Sequence, residues 1–298
     1  MSDAVSPFEA LATAAREATR AAAAGVLQIR ARGARPATAA HLAPDVVLAA
    51  LHTLERDEGL VVTRGDTALD ATVIGRDESL DIALVRAEGL GTPPARLAAT
   101  DPEPAQLGVA VSRSWSGNIV ARLSSVTGTT CPPRRWRAEP VPFLVRTDVP
   151  PGRGIAGGVL AGPDGLVHAW LTTALGRGAV LGVPATLVAD RLARLLEHGR
   201  IRRGYVGLAV QPVMLAPGQQ PHGRQGLLVS GIDALGTGTA AGLFVGDILL
   251  EADGQPLADP GAMQSLLVES RIGTSLRLRV LRGGDVTDVT VTVGERRQ

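Results

Sequence analysis

The hydrophobic pattern changes several times along the chain. Between residues 6 and 24 apolar side chains recur at helical spacing, and Ser6 followed by Pro7 is typical of a helix start. From Gly25 onward, short apolar runs alternate with Gly, Pro and Asp, which predicts many short strands and hence a barrel or sandwich. The clearest of these predicted strands are 25–29, 46–48, 60–63, 82–85 and 143–145.

A second helix closes this first strand-rich region. It is predicted at 185–198, with Gly199 as its C-terminal stop, and its apolar positions are Leu187, Leu192, Leu195 and Leu196. The arginine-rich segment 200–203 is the predicted hinge to a second compact unit. That unit has predicted strands at 205–210, 227–232, 248–251, 276–281 and 286–293, and a helix at 260–269. The predicted domains are therefore 1–24, 25–199 and 200–298.

Composition limits the classes of protein that fit this pattern. A chain of 298 residues with 45% hydrophobic and 20% charged residues is long enough for about two folded domains. A net charge of +1 gives no electrostatic reason to expect nucleic acid or an anionic membrane as a partner. No stretch approaches the ~18 apolar residues of a membrane span, so none is predicted.

Cysteine usage and the N-terminus give the expected location. Cys131 is the one cysteine, so no internal disulfide can form and export to an oxidising compartment brings no structural gain. The alanine-rich start is interrupted by charged residues and does not have the pattern of a signal peptide. We expect a cytoplasmic protein, or a periplasmic or extracellular one if the chain has been trimmed.

Three motifs in the first unit have the form of catalytic loops. An apolar strand, Pro-Asp-Val-Val-Leu-Ala-Ala-Leu, leads directly into His52, and the segment Arg-Asp-Glu-Ser-Leu-Asp-Ile-Ala-Leu-Val carries Asp81. Residues 154–160, Gly-Ile-Ala-Gly-Gly-Val-Leu, form a glycine-rich loop around Ala156. The order of His52, Asp81 and Ala156 along the chain is that of the His-Asp-Ser triad in the chymotrypsin fold.

On these motifs, the first unit resembles the chymotrypsin-fold domain of the HtrA family of serine proteases, and the second resembles the PDZ domain that follows it. Thr147-Asp148 before the loop and Val-Leu-Gly-Val-Pro-Ala at 180–185 are similar to family motifs as well. The resemblance implies a mainly β fold, a chymotrypsin-like double β-barrel followed by a PDZ domain of β-sandwich type with helices. It also implies a bacterial protein of the protein quality control class, and a homotrimer assembled through the protease domain.

The resemblance sets the expected chemistry. Ala156 stands where the family has serine, and a methyl group offers no oxygen or sulfur that a base can activate. His52, Asp81 and Ala156 then form a degenerate triad, and the amides of Gly154 and Ala156 are candidate oxyanion-hole donors; the alternative is that Gly154 serves only the turn. We expect a protein that is not an enzyme, a pseudoprotease acting as scaffold or regulator.

Two alternatives stay open at this point. Ala156 as an engineered change is disfavoured, because Ile155 and Val159 also replace the asparagine and proline of the family loop. The other is an active or conditionally active serine-type endopeptidase with a non-standard nucleophile. The candidates for that nucleophile are Cys131, Ser114, Ser116, Ser124 and Ser125. No cofactor or metal is expected, because His52 and Asp81 alone make an incomplete metal site.

The second unit carries the expected binding function. Gly-Tyr-Val-Gly-Leu at 204–208 has the arrangement of a PDZ carboxylate-binding loop, in which backbone N–H groups converge on an anion. The resemblance implies that peptide C-termini or unfolded segments bind between the predicted strand 227–232 and the predicted helix 260–269. The expected peptide-binding residues are Tyr205, Val206, Gly207, Leu208, Met263 and Leu267.

Overall fold

The computed structural model describes residues 6–54, 58–131, 141–215 and 224–295. Its helices are α1 (Pro7–Ala23), α2 (Ala185–His198), α3 (Thr237–Ala240) and α4 (Pro260–Leu266). Its strands in the first unit are β1 (Val26–Arg30), β2 (Ala37–Ala43), β3 (Val46–Ala50), β4 (Leu60–Arg64), β5 (Thr67–Asp77), β6 (Ile82–Arg86), β7 (Leu107–Arg113), β8 (Ile119–Thr130), β9 (Leu144–Thr147), β10 (Val159–Ala161), β11 (Val167–Thr172) and β12 (Leu181–Pro184). Those of the second unit are β13 (Gly204–Tyr205), β14 (Leu208–Met214), β15 (Gln225–Ile232), β16 (Ile248–Ala252), β17 (Gln255–Pro256), β18 (Ser275–Arg282), β19 (Asp285–Thr292) and β20 (Gly294–Glu295).

Two closed antiparallel barrels make up the first unit, which ends at Ile201. One has the strand order β1-β2-β3-β6-β5-β4 and the other β10-β11-β12-β9-β8-β7. Strands such as β3 are buried at every position, and Trp170 on β11 is fully buried. Since the chain holds few aromatic residues, small and branched aliphatic side chains fill most of both barrel cores. The expected double β-barrel is confirmed.

The first helix begins and packs as its sequence pattern predicts, but only over its second half. Ser6 and Glu9 form a reciprocal capping box at its start. Ala18 and Ala22 are buried, and α1 contacts β7 and β10. Phe8, which continues the same apolar stripe, is 78% exposed. The apolar stripe is therefore longer than the surface that covers it.

The second helix ends as predicted, yet its buried face differs from the predicted one. Gly199 adopts a left-handed conformation with φ of 68° and closes α2, which is the usual role of a glycine after a helix. Of the four apolar positions of the predicted helix, Leu196 does not join the buried face, because it is 45% exposed. Arg191 takes up a buried position on this helix instead, and its Nε atom lies 3.4 Å from Oδ2 of the buried Asp77 on β5.

The second unit is an antiparallel sheet with the strand order β14-β15-β16-β18-β19, and β17 pairs with β16. The predicted strand 205–210 is two strands, because Gly207 has a φ of 79° and interrupts the extended backbone. Of the two, β13 pairs with β20, whereas β14 joins the main sheet. The helix predicted at 260–269 ends at Leu266 and is followed by a short 3-10 turn at 269–271. The expected PDZ architecture is confirmed.

Candidate active site and peptide groove

His52 and Asp81 are held together by two hydrogen bonds. His52 lies in a 3-10 turn directly after β3, and Asp81 lies in the turn between β5 and β6 with a φ of 62°. Nδ1 of His52 is 2.7 Å from Oδ2 of Asp81, and the backbone N–H of His52 donates to Oδ1 at 2.9 Å. Because the carboxylate is buried and accepts at Nδ1, that nitrogen carries the proton and Nε2 is left as the basic atom.

Two consecutive threonines complete this arrangement. The hydroxyl of Thr172, at the end of β11, donates to Oδ2 of Asp81 at 2.6 Å. The hydroxyl of Thr173 lies 3.3 Å from Nε2 of His52, on the opposite side of the ring from Asp81. Thr173 is not among the site residues predicted from the sequence, because no local motif distinguishes it from an ordinary strand-end threonine. It places a hydroxyl where the base can reach its proton.

The glycine-rich loop is shaped by steric necessity. Gly154 has a φ of 85°, and a Cβ atom there would lie 2.1 Å from the carbonyl oxygen of Arg113. The hydroxyl of Thr38 donates to the carbonyl of Gly154 at 2.5 Å and fixes that peptide group. The amides of Gly154 and Ala156 donate no hydrogen bond to any residue in the described ranges, so both are free to face a carbonyl oxygen or carboxylate.

These groups line one cleft of about 230 Å³. His52, Gly154, Ala156 and Thr173 all contribute to its wall, whereas Asp81 lies behind His52. The cleft therefore combines a base, a hydroxyl and two free N–H donors, which are the components that acyl transfer requires. Ala156 supplies only a buried methyl group to this set.

The nucleophile candidates proposed from the sequence lie elsewhere. The hydroxyls of Ser114 and Ser116 are 2.9 Å apart and bond to each other. Ser124 and Ser125 both donate to the carboxylate of Asp148; partial burial opposes its ionisation, but these hydrogen bonds outweigh it and lower its pKa. Cys131 is exposed, and the prolines that follow it lie outside the described residues. Because these serine hydroxyls bond to other partners, His52 does not activate them.

In the second unit, all six predicted peptide-binding residues line one groove of about 700 Å³. The amides of Val206 and Gly207 make no hydrogen bond to a described residue, which leaves two adjacent donors at one end of the groove. Gly207 cannot carry a side chain, because a Cβ would lie 2.6 Å from the Cα of Gly236. The hydroxyl of Tyr205 donates to Asp233 at 3.0 Å, while its backbone lines the groove.

The predicted strand of this groove is corrected by the sheet order. β15 lies between β14 and β16, so 227–232 offers no free edge for most of an incoming peptide strand. The edge strand is β14, which pairs with β15 alone among the described strands and contacts α4. A peptide that extends the sheet must therefore lie between β14 and α4.

Comparison with known proteins agrees with this architecture. Residues 25–169 match the trypsin-like peptidase domain, and residues 204–293 match the PDZ domain. A relative named probable periplasmic serine endoprotease DegP-like, from Halomonas elongata, is 32% identical over 257 residues, which are 82% of this chain and 53% of the relative. A protein of the same name from Pseudomonas fluorescens is 29% identical over 250 residues, 80% of this chain and 52% of that protein.

The chain combines a trypsin-like peptidase domain with a PDZ domain and has DegP-like and HtrA-type relatives. It spans about half of the length of the curated relatives that it matches. The fold of this HtrA-like chain is also that of the serine endoprotease from Yersinia pestis, with a TM-score of 0.75, 20% identity and coverage of 95% of this chain and 98% of that one. An HtrA-type protease AlgW with decapeptide has a TM-score of 0.74 at 19% identity, with coverage of 95% and 99%.

Two expectations from the sequence are contradicted by these relatives. The HtrA-like chain was expected not to be an enzyme, but its relatives are named serine endoproteases and its first unit has the trypsin-like peptidase fold. It was also expected to be cytoplasmic, whereas the relatives are named periplasmic. No helix within the described ranges is long and apolar enough to cross a membrane. The first expectation rested on the residue at 156, and the second rested on the lone Cys131 and on the first residues of the chain.

Replacing Gly154 by alanine tests the shape of the loop. We expect Gly154→Ala to lower the free energy of unfolding by ~2–4 kcal/mol, because left-handed strain is added to the overlap with the Arg113 carbonyl. Gly178→Ala is the matched control, since its φ is 80° but no atom lies within 4 Å of the new Cβ. It should cost only ~1 kcal/mol. Urea denaturation measures both, and equal losses would contradict the steric argument.

Proposed function

We propose that this HtrA-like chain is an endopeptidase of unfolded protein segments in which Thr173 replaces serine as the nucleophile. The observation that carries the proposal is the chain of contacts from Asp81 through His52 to the Thr173 hydroxyl, at 2.7 Å and 3.3 Å. A contact of 3.3 Å is long, but such contacts tighten when substrate binds. We assign the peptidase domain to 25–199 and the PDZ domain to 200–298, with 1–24 as an N-terminal helix.

The chemistry follows from the groups in the cleft. Nε2 of His52 accepts the hydroxyl proton while Oγ1 of Thr173 bonds to the substrate carbonyl carbon. The carbonyl oxygen becomes an oxyanion, toward which the amides of Gly154 and Ala156 donate. When the carbon–nitrogen bond breaks, His52 returns the proton to the leaving amine. Water then attacks the acyl-threonine with His52 again as base. The bond from the carbonyl carbon to Oγ1 breaks, the acid product leaves and His52 returns the proton to Thr173, while Asp81 stabilises the imidazolium in both halves of the reaction.

Digestion of an unfolded protein tests the enzymatic proposal. The chain should cleave casein, and His52→Ala should lower the initial rate by about 10³-fold or more, because the base is lost. His198→Ala on α2, outside the cleft, is the matched control and should cleave at the parental rate. A parent that leaves casein intact at high enzyme concentration would overturn the proposal.

For the second unit, we propose capture of peptide C-termini in the groove between β14 and α4. The two free amides of Val206 and Gly207 support a carboxylate at one end, and Met263 and Leu267 support an apolar last side chain. The decapeptide held by a protein of the same fold is consistent with this assignment. We also propose that the protein acts in the periplasm, from the names of its relatives, and that it forms a homotrimer, from the family resemblance.

Binding of synthetic peptides tests the groove. A peptide with a free C-terminal carboxylate and a valine at its end should bind at least about tenfold more tightly than its C-terminal amide, since the free amides of Val206 and Gly207 then lose their anion. Leu267→Ala should weaken binding about tenfold through lost apolar contact, whereas Leu235→Ala, at 92% exposed and outside the groove, should not. Fluorescence polarisation gives these affinities, and equal binding of acid and amide would contradict the carboxylate assignment.

A further inference from the structure

Two arginines lie over one tryptophan at the mouth of the peptidase cleft. The guanidinium carbon of Arg35 is 4.8 Å from the Trp115 ring centroid, and that of Arg153 is 4.3 Å from it. All three residues line the same cleft as His52 and Thr173. We call Arg35, Trp115 and Arg153 the Arg–Trp–Arg cluster. Contacts of this length are cation–π interactions, which orient each guanidinium against the ring.

The tryptophan is carried by a turn whose backbone is hydrogen-bonded to other parts of the first unit. It lies in the turn between β7 and β8, and Nε2 of Gln28 donates to the carbonyl oxygens of Ser114 at 3.0 Å and of Trp115 at 3.1 Å. Arg113 donates to the carbonyl of Gly117 at 2.6 Å and closes the same turn from the other side. A turn bonded from both ends fixes the backbone that carries the indole, against which the two guanidiniums stack.

Within the part of the chain that the structure describes, no carboxylate pairs with either arginine of the cluster. Arg35 and Arg153 are exposed, and neither forms an ion pair with a residue in the described ranges. Among the described residues, those that line the cleft include these two arginines and His52 but no aspartate or glutamate. Both guanidinium carbons lie within 5 Å of one centroid, so they are less than about 10 Å apart and repel each other. The negative charge of a carboxylate at this end of the cleft would be attracted to both guanidiniums.

We propose that the Arg–Trp–Arg cluster is a specificity subsite for an acidic side chain of the substrate. Arg153 directly precedes Gly154, which lines the cleft and is a proposed oxyanion donor, so the acidic residue would lie close to the bond that is cut. Arginine is suited to this role because its planar group bonds a carboxylate with two N–H donors while it stacks on the ring. The inference rests on the proposed function only in taking the ligand of the cleft to be a peptide.

Calorimetric titration of the full chain tests the subsite without relying on turnover. The ligands are two unstructured peptides, N-acetylated and C-terminally amidated so that the PDZ groove has no carboxylate to bind, which differ by one Glu or Gln. A His52→Ala background prevents cleavage during the titration. The Glu peptide should bind about tenfold more tightly than the Gln peptide, and the difference should shrink at high salt.

The arginine variants identify the cluster as the source of this preference. Arg35→Gln together with Arg153→Gln should abolish the difference between the peptides, whereas Arg122→Gln, an exposed arginine on β8 outside the cleft, should keep it. Equal affinities in the parent, or a Glu preference that survives the double variant, would overturn the subsite while leaving the peptidase proposal intact. If neither peptide binds at millimolar concentration, the cleft holds no peptide, and both proposals fall.

Discussion

Thr173→Val lowers cleavage of an unfolded protein by about 10³-fold or more, while Thr173→Ser keeps most of it. Valine has nearly the shape of threonine but no hydroxyl, so it removes the proposed nucleophile with little change in volume. Serine restores a hydroxyl at the same position, 3.3 Å from Nε2 of His52 in the parent. A nucleophile and its base act as a unit, so removing the nucleophile abolishes nearly all of the catalysis that the two provide together. Initial rates with fluorescently labelled casein measure the three proteins.

Two further variants make the Thr173 result specific. Thr172→Val removes the hydrogen bond to Asp81 but not the proposed nucleophile, so the rate should fall less than in Thr173→Val. Ala156→Ser adds a hydroxyl at the family's usual position and should raise the rate if the rest of the cleft is competent. A Thr173→Val protein that cleaves at the parental rate would mean that another group or water attacks directly.

Asp77→Ala destabilises the first unit by ~3–5 kcal/mol, the second large effect that we expect. Asp77 and Arg191 are each 2% exposed, and their charges lie 3.4 Å apart between β5 and α2. Asp77 also accepts a hydrogen bond from the backbone N–H of Ser79 at 2.8 Å. Removing the carboxylate leaves the buried guanidinium without this counter-charge and one backbone donor without its acceptor. Urea denaturation followed by tryptophan fluorescence measures the loss, since Trp170 is fully buried in this unit.

Asp190→Ala is the matched control for that experiment. Asp190 lies 3.9 Å from Nε of the same Arg191, but its side chain is 53% exposed. Water screens an exposed pair, so this change should cost no more than ~1 kcal/mol. If Asp77→Ala costs no more than Asp190→Ala, the buried pair is not a major support of the packing of α2 on β5.

The sequence predicted the features that depend on local patterns. Capping residues predicted the start of the first helix at Ser6 and the end of the second at Gly199, and the structure agrees. The order of the strand motifs predicted that Asp81 lies beside His52, as it does. The double barrel and the PDZ domain follow from the same motifs. Hydrophobic periodicity and helix capping depend on residues that are neighbours in the chain, so a single sequence is sufficient to predict them.

Contacts between distant parts of the chain could not be predicted from the sequence. Thr173 meets His52 across 121 residues, and no spacing rule signals that contact. The edge position of β14 depends on sheet order, which hydrophobic alternation does not encode. The expectation of an inactive protein had the same origin, because it considered one loop position and not the hydroxyls that the barrel brings to the base. The burial of Arg191 was likewise not predicted, since the hydrophobic pattern of a helix identifies apolar residues and not a buried arginine.

The most direct test of the account is to locate the adduct of a fluorophosphonate probe by peptide mass spectrometry. The probe reacts with hydroxyls that a neighbouring base activates. We expect one adduct, on the peptide that contains Thr173, which is absent from His52→Ala and from Thr173→Val. No adduct on the active parent, or an adduct on another residue, would contradict the assignment of Thr173 as the nucleophile of this site.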